Sequence, residues 1–352
     1  MKDKKQNKRI NGGHRLLFFC ILCLFGLYVA VSYAEEQPQR EQSKTKVILL
    51  HTDNLTYDQY RHPGAQILTG NVQFQHDGVL MYCDSACFYE ATNSFDAFGH
   101  VKMVQGDTLD LVGDMLLYNG LDQLARVRHN VVLTHRESKL YTDSLDYDRL
   151  YELGYFFEGG KLVDKDNVLT SDWGQYSPPT RQAVFNYNVK LENPKFTLIS
   201  DTLNYNTLTS MAEIVGPSNI DSGDNHIYSE SGFYNTQTEE AILLDRSIVT
   251  NKGRKMVGDS LYYDSKSGVG EGFRNVVYTD EVNKNMLTGN YCYYNDSTGY
   301  SMATDSAVAI DYSQRDTMYM HADTFKVYTF YMDTDSMYRE VRGYHKVRSY
   351  RM

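Results

Sequence analysis

The sequence predicts an all-β chain built from one repeated unit, and three observations carry that prediction. First, the phrase Asp201-Thr202-Leu203-Asn204-Tyr205-Asn206 recurs as Asp143-Ser144-Leu145-Asp146-Tyr147-Asp148 and as Asp259-Ser260-Leu261-Tyr262-Tyr263-Asp264. Looser copies end at Tyr57, Tyr89, Tyr118, Tyr176, Tyr234 and Tyr294, so the tyrosines are spaced by 32 residues, then six times by 29, then by 31. A fixed period of this length marks a repeat architecture. Second, from Val47 onward short runs rich in Val, Leu, Tyr, Phe and Thr are broken every ~8–12 residues by Gly, Asn, Asp or Pro, the texture of many short strands with no convincing helical period. Third, 30 Tyr and 25 Gly suit half-buried pleated surfaces and tight turns.

Each unit divides alike. An apolar run opens it, as in Gly70-Asn71-Val72, Gly99-His100-Val101, Asn130-Val131 and Asn188-Val189. A turn follows, supplied by Asp77-Gly78, Gly106-Asp107, Asn193-Pro194 or Lys252-Gly253, and a second run leads into the Asp-to-Tyr phrase. A third run such as Met211–Val215 leads onward, so one unit holds two or three strands. All six prolines fall in the leader, at turns or at run boundaries, where a residue without an N–H does no damage to a ladder.

The N-terminus reads differently. Met1 to Arg15 carries six basic residues against Asp3, Leu16 to Val31 is apolar, and Ser32-Tyr33-Ala34 supplies small residues before Glu35. That order is a secretory signal peptide over residues 1–34, cleaved after Ala34, and its 16 apolar residues fall short of the ~20 of a spanning helix. Residues 35–46 are polar and free of aromatics, a disordered leader, and the repeat region runs over 47–352. The exported chain keeps 29 basic and 44 acidic residues, a charge of −15, which excludes nucleic acid as a partner of its net field. Three cysteines remain, Cys83, Cys87 and Cys292, an odd number that argues against a disulfide framework and for small core hydrophobes.

Aligning the units gives columns. Two before the tyrosine stand Leu55, Cys87, Leu116, Leu145, Gly174, Leu203, Gly232, Leu261 and Cys292. Residues two apart on a strand share a face, so the candidate walls are Leu116 with Tyr118, Leu145 with Tyr147, Leu203 with Tyr205 and Leu261 with Tyr263. These pairs form either a core between two sheets or an aromatic-lined groove that stays partly open, which suits both ends of the tyrosine ring. Four before the tyrosine an acid recurs in seven of nine units. Strict alternation puts these acids on the leucine face too, unless a bend or bulge intervenes; they read as a solvated rim or as cation ligands. No catalytic residue, metal ligand set or cofactor motif stands out from the columns.

The Gly70-Asn71-Val72, Asn130-Val131, Asn188-Val189 and Asn275-Val276 openings, with the Asp/Tyr columns, resemble the OstA (organic solvent tolerance) or LptA family. That family includes the periplasmic lipopolysaccharide-transport protein LptA and the N-terminal domain of its outer-membrane partner LptD. The resemblance spans nearly all of residues 47–352, about twice the length of the simplest members, and implies one or two consecutive antiparallel β-jellyroll units folded like a taco. It implies a non-enzymatic scaffold that shields lipopolysaccharide acyl chains, either free in the periplasm or associated with the outer membrane. Its protomers would join others of the OstA/LptA fold by edge-strand pairing. Gly343 to Val347 opens a last unit without a return strand, in a basic tail of Arg339, Arg342, Lys346, Arg348 and Arg351. Val347 is the candidate partner edge. The alternative is an exported β-solenoid for adhesion or polysaccharide binding, for which Trp173 is the sole tryptophan to offer.

Overall fold

The computed structural model describes residues 45–295, 297–331 and 337–352. The signal segment and most of the leader lie outside the described residues. Strands β1 (Ile48–His51) and β2 (Asn54–Tyr57) lie along the two halves of β3 (Gln66–His76). Long antiparallel strands follow, joined by tight turns: β4 (Val79–Tyr89), β5 (Ser94–Gln105), β6 (Leu109–Asn119), β7 (Leu124–His135) and β8 (Ser138–Asp148). The next two passes are each broken in two, as β9 (Leu153–Phe156) and β10 (Gly160–Asp164), then β11 (Asn167–Ser171) and β12 (Trp173–Ser177). Strands β13 (Gln182–Asn193), β14 (Phe196–Asn206), β15 (Met211–Ser222) and β16 (Asn225–Asn235) are whole again. A second broken stretch holds β17 (Glu240–Leu244), β18 (Ile248–Asn251), β19 (Arg254–Val257) and β20 (Ser260–Asp264). The array finishes with β21 (Val269–Asp280), β22 (Asn285–Asn295), β23 (Tyr300–Asp311) and β24 (Met318–Phe330), against whose two halves lie β25 (Tyr338–Tyr344) and β26 (Arg348–Arg351).

All pairings are antiparallel and belong to one sheet, so the all-β repetitive fold read from the sequence is the fold observed. The division within a unit differs from the sequence reading. The third run of one unit and the opening run of the next are a single strand bent in the middle: Met211–Val215 and the segment after Gly216 are both β15. Each 29-residue period therefore holds two strands, and each strand passes through both walls of the fold.

The bend has a local cause. Gly70 and Asn71, Gly99 and His100, His129 and Asn130, Tyr187 and Asn188, Arg274 and Asn275 are consecutive residues with positive φ, and the ladder shifts register at each pair. One extra residue on the bulged strand turns the pair: the bulged strand keeps its inward parity, as Phe95, Ala97, Val101 and Met103 do in β5, while the facing strand, one residue shorter through the corner, reverses it. In β6, Leu109, Leu111 and Gly113 face in before the corner, and Leu116 and Tyr118 after it. The acid Asp114 sits at the corner and is exposed, as are Asp143, Asp172 and Asp201. The acid column thus leaves the leucine face, and its carboxylates brace the corners: Asn71 donates to Asp53 at 2.9 Å, Asn130 to Asp114 at 2.6 Å, Asn188 to Asp172 at 2.6 Å and Asn275 to Asp259 at 2.8 Å. Glycine is required at position 70, where φ is +83° and a Cβ would collide with the Asp53 carboxylate.

The column frame also shifts where the phrase is one residue longer. In β4 the inward ring is Phe88, tilted against Phe74 at 5.4 Å, and Tyr89 is displaced from the column. In β24 the buried ring is Phe325, with Tyr328 only half-buried. The first copy, Leu55 and Tyr57 in β2, is exposed on an edge. Cys83, Cys87 and Cys292 are free and buried. Among the described residues no helix is long and apolar enough to cross a membrane.

Candidate functional site

The site is the space between the two walls. Leu116, Tyr118, Leu145, Tyr147, Leu203, Tyr205 and Leu261 all face into it, none more than 2% exposed. Tyr263 is half-buried, its ring stacked on Tyr294 at 6.5 Å. In the first repeats this interior is filled: Phe74 and Phe95 stack at 4.1 Å and Phe95 meets Tyr118 at 5.2 Å. The Leu slot carries Gly174 because the Phe156 ring occupies that space, with the Val184 carbonyl oxygen 2.6 Å from where a Cβ would stand.

Buried tyrosine hydroxyls require partners, and here the partners come from the opposite rim. Strands bent at mid-length bring their two ends to the two lips of one mouth. His76, His135 and Asp164 end β3, β7 and β10 on one lip, while the tyrosines stand near the ends of β6, β12 and β14 on the other. The Tyr118 hydroxyl lies 2.7 Å from His76 Nδ1, the Tyr176 hydroxyl lies 2.8 Å from His135 Nδ1, and the Tyr205 hydroxyl donates to Asp164 Oδ2 at 2.8 Å. His76 Nε2 faces the Thr45 carbonyl at 3.3 Å, which fixes the ring proton there and makes Nδ1 the acceptor. Arg149 adds a bond to the Tyr118 hydroxyl at 2.5 Å, and Asn167 adds one to Tyr205 at 2.9 Å. Burial pushes the imidazoles of His76 and His135 below the usual histidine range and pushes the Tyr118, Tyr176 and Tyr205 hydroxyls up.

An outer tier of contacts crosses the same mouth. Gln123 donates to Asp77 at 3.0 Å, Gln105 to Glu152 at 2.5 Å, Lys165 to Ser210 at 3.2 Å, and Lys195 pairs with Glu239. At the N-terminal end the chain itself crosses: Thr45 contacts His76 at 2.9 Å, and the Val47 N–H donates to Asn93 Oδ1 at 2.7 Å. Val47 is buried in the core beneath.

Past Glu239 the arrangement changes. The rim residues Ser222 and Asn251 bond along their own lip, Ser222 to the Lys195 carbonyl at 3.0 Å and Asn251 to Asn225 at 2.5 Å. A cavity of about 440 Å³ opens, floored by Met256, Tyr278, Leu287, Tyr294, Met320 and Val327. Tyr278, Leu287, Tyr294 and Met320 are partly exposed continuations of the core. Arg254 on one lip and Arg339 on the other both reach the buried Asp280 carboxylate at 3.5 Å. Burial would raise the Asp280 carboxyl, but two bonds from Asn283 and the two arginines outweigh it and hold it below the usual range. The aromatic and methionine floor with a guanidinium rim can take apolar chains and face an anionic group.

None of the eight wall residues read from the sequence lines this cavity; Tyr263 stands nearest, against Tyr294. Val347 lies between β25 and β26 at the last corner, exposed and outside a strand. The cross-mouth partners His76, His135 and Asp164 close runs two repeats and then one repeat apart, a periodicity the sequence carries without marking it. The cavity had a compositional signal: eight of the 13 methionines follow residue 250, and methionine suits adaptable binding surfaces.

The model of a family described as OstA-like protein matches residues 44–201 and 197–259, more than half of the chain. Among solved structures, LptH of Pseudomonas aeruginosa, described as the LptA-homologous periplasmic component of the lipopolysaccharide transport device, is similar at 17% identity. The match covers 28% of this chain and 75% of that one, with a TM-score of 0.26. No curated protein matches the chain. On the family match, the chain belongs to the OstA-like protein family.

Proposed function

We propose that this protein is a non-enzymatic lipid-transport scaffold of the periplasm, shielding the acyl chains of lipopolysaccharide between its two walls during outer-membrane assembly. The observation that carries the reading is the change along one interior column from sealed core to open chamber. Leu116, Tyr118, Leu145, Tyr147, Leu203, Tyr205, Leu261 and Tyr263 are the proposed groove wall, and the partly exposed Tyr278, Leu287, Tyr294 and Met320, with the buried Met256, line the open chamber beyond it. Each methylene moved from water onto such a surface is worth about 0.8 kcal/mol, so acyl burial drives binding without a phosphate cradle. An overall acidic chain can therefore carry an anionic lipid, the more so with Arg254 and Arg339 at the mouth.

End-to-end pairing with other OstA/LptA-fold proteins is part of the same proposal. The edge strands β1, β2, β25 and β26 leave backbone groups unpaired on their outer sides, and Ile48, Leu50, Val341, Val347 and Tyr350 stand exposed there. The test is photo-crosslinking in cells with a reactive residue at Leu287 or Tyr294 and a control at Asn204 on the outer face. Lipopolysaccharide captured at the first two and not at the control is the expected result. Capture confined to Asn204 would sink the proposal.

A further inference from the structure

We propose that the cross-mouth pairs Tyr118–His76, Tyr176–His135 and Tyr205–Asp164 are a latch that shuts the first two-thirds of the groove, so that apolar ligand is admitted only between Met256 and Val341. This goes beyond the transport reading, and rests on it only where lipid is the probe. Four observations converge. Phe74, Phe95 and Phe185 fill neighbouring interior positions with rings alone, so packing does not require a hydroxyl; each of the three tyrosines uses its hydroxyl to reach the far lip. The outer tier from Gln123–Asp77 to Lys195–Glu239 spans the same stretch of mouth. Thr45 to Val47 closes the N-terminal end over His76 and Asn93. The cavity begins where the tyrosine rungs stop; the crossing there is the Arg339–Asp280 ion pair at 3.5 Å, and Tyr263 and Tyr294 stack on each other.

The native cysteines test this without lipid. Cys83 lies at the corner of the latched stretch, and Cys292 lines the chamber. Burial raises both thiols to about 12, so a difference in labelling reports access. In the full exported chain, both thiols are buried, and maleimide labelling quantified by peptide mass spectrometry sets the wild-type rate at each. In Y118F/Y176F/Y205F, which keeps every ring, the Cys83 rate should rise at least tenfold while Cys292 changes less than twofold. An unchanged Cys83 rate in a variant with the wild-type circular dichroism overturns the latch. Should the triple variant fail to fold, Y118F alone is read at Cys83 by the same criteria. A diazirine-bearing fatty acid provides the second readout: wild-type label should map to 256–341, and variant label should spread to 116–205. Wild-type label spread evenly over both stretches overturns the latch. If Cys83 opens as expected while no fatty acid labels either protein, the latch stands and the transport reading fails.

Discussion

The Tyr205 hydroxyl donates to the Asp164 carboxylate at 2.8 Å, joining strands whose partners are 41 residues apart, about one and a half repeats. Ser138 donates to the other oxygen of the same carboxylate at 2.8 Å. The acid is therefore the hub and the tyrosine one spoke. Tyr205→Phe leaves Asp164 one good donor and should cost about 1 kcal/mol, whereas Asp164→Ala strands two buried donors and should cost about 2–4 kcal/mol. Urea midpoints at constant m-value provide the measurement. A larger loss for Tyr205→Phe would refute this ordering.

The histidine rungs predict a pH dependence of defined sign. Burial lowers the folded pKa of His76 and His135, with Arg149 and Arg136 adding to it respectively. Between those folded values and the unfolded value of about 6.5, the unfolded chain binds more protons, so stability falls as pH falls through that window. His100 acts in the opposite direction, since its hydrogen bond to Asp84 raises its pKa and its contribution fades as pH rises. Unfolding free energies at pH 7.5 and 5.5 should show a net loss at the lower pH, and His135→Asn should shrink it. An equal loss in His135→Asn would remove that residue from the explanation.

Gly174 predicts an overpacking effect at a position where the neighbouring repeats carry leucine. A Cβ there meets the Phe156 ring and the Val184 carbonyl oxygen, so Gly174→Ala should destabilise by about 1–3 kcal/mol. Adding Phe156→Leu should return part of that loss, a coupling readable in a double-mutant cycle. Strict additivity would mean that the ring is not what excludes the methyl group.

At the chamber, Met320→Glu places a charge on the apolar floor. Fatty-acid capture should drop at least tenfold, while Asn204→Glu on the outer face should leave it within twofold. Equal effects from both would show that capture follows net charge rather than the cavity.

The repeat and its β character were legible because the return-strand tyrosines from Tyr118 to Tyr263 keep a 29-residue period and face one way. The bent strand was misdivided because its corner is built from consecutive left-handed residues such as His129-Asn130 and Tyr187-Asn188, which read as boundaries between runs. Where the phrase gains a residue, the tyrosine yields its slot to Phe88 or Phe325, a shift that spacing alone flags as irregular without saying which ring turns inward. The cross-mouth rungs were hidden for a different reason. Pairing 41 or 42 residues apart depends on how the two lips face each other, and no local pattern records that. The open chamber escaped because it begins where the tyrosine rungs end, not at a new motif.

Each rung between Tyr and its far-lip partner spans more than one repeat, so it staples strands that are not ladder partners, as β3 and β6 are joined across the intervening β4 and β5. Repeat arrays without such staples melt by nearest-neighbour coupling, fraying from an end. The stretch from Thr45 to Glu239 should instead lose its structure as one cooperative block, while the segment after residue 250, lacking those staples, should soften at lower temperature. Calorimetry on the full chain should resolve two transitions, the first confined by hydrogen exchange to β21–β26. A single transition with uniform exchange would mean that the staples add no long-range cooperativity.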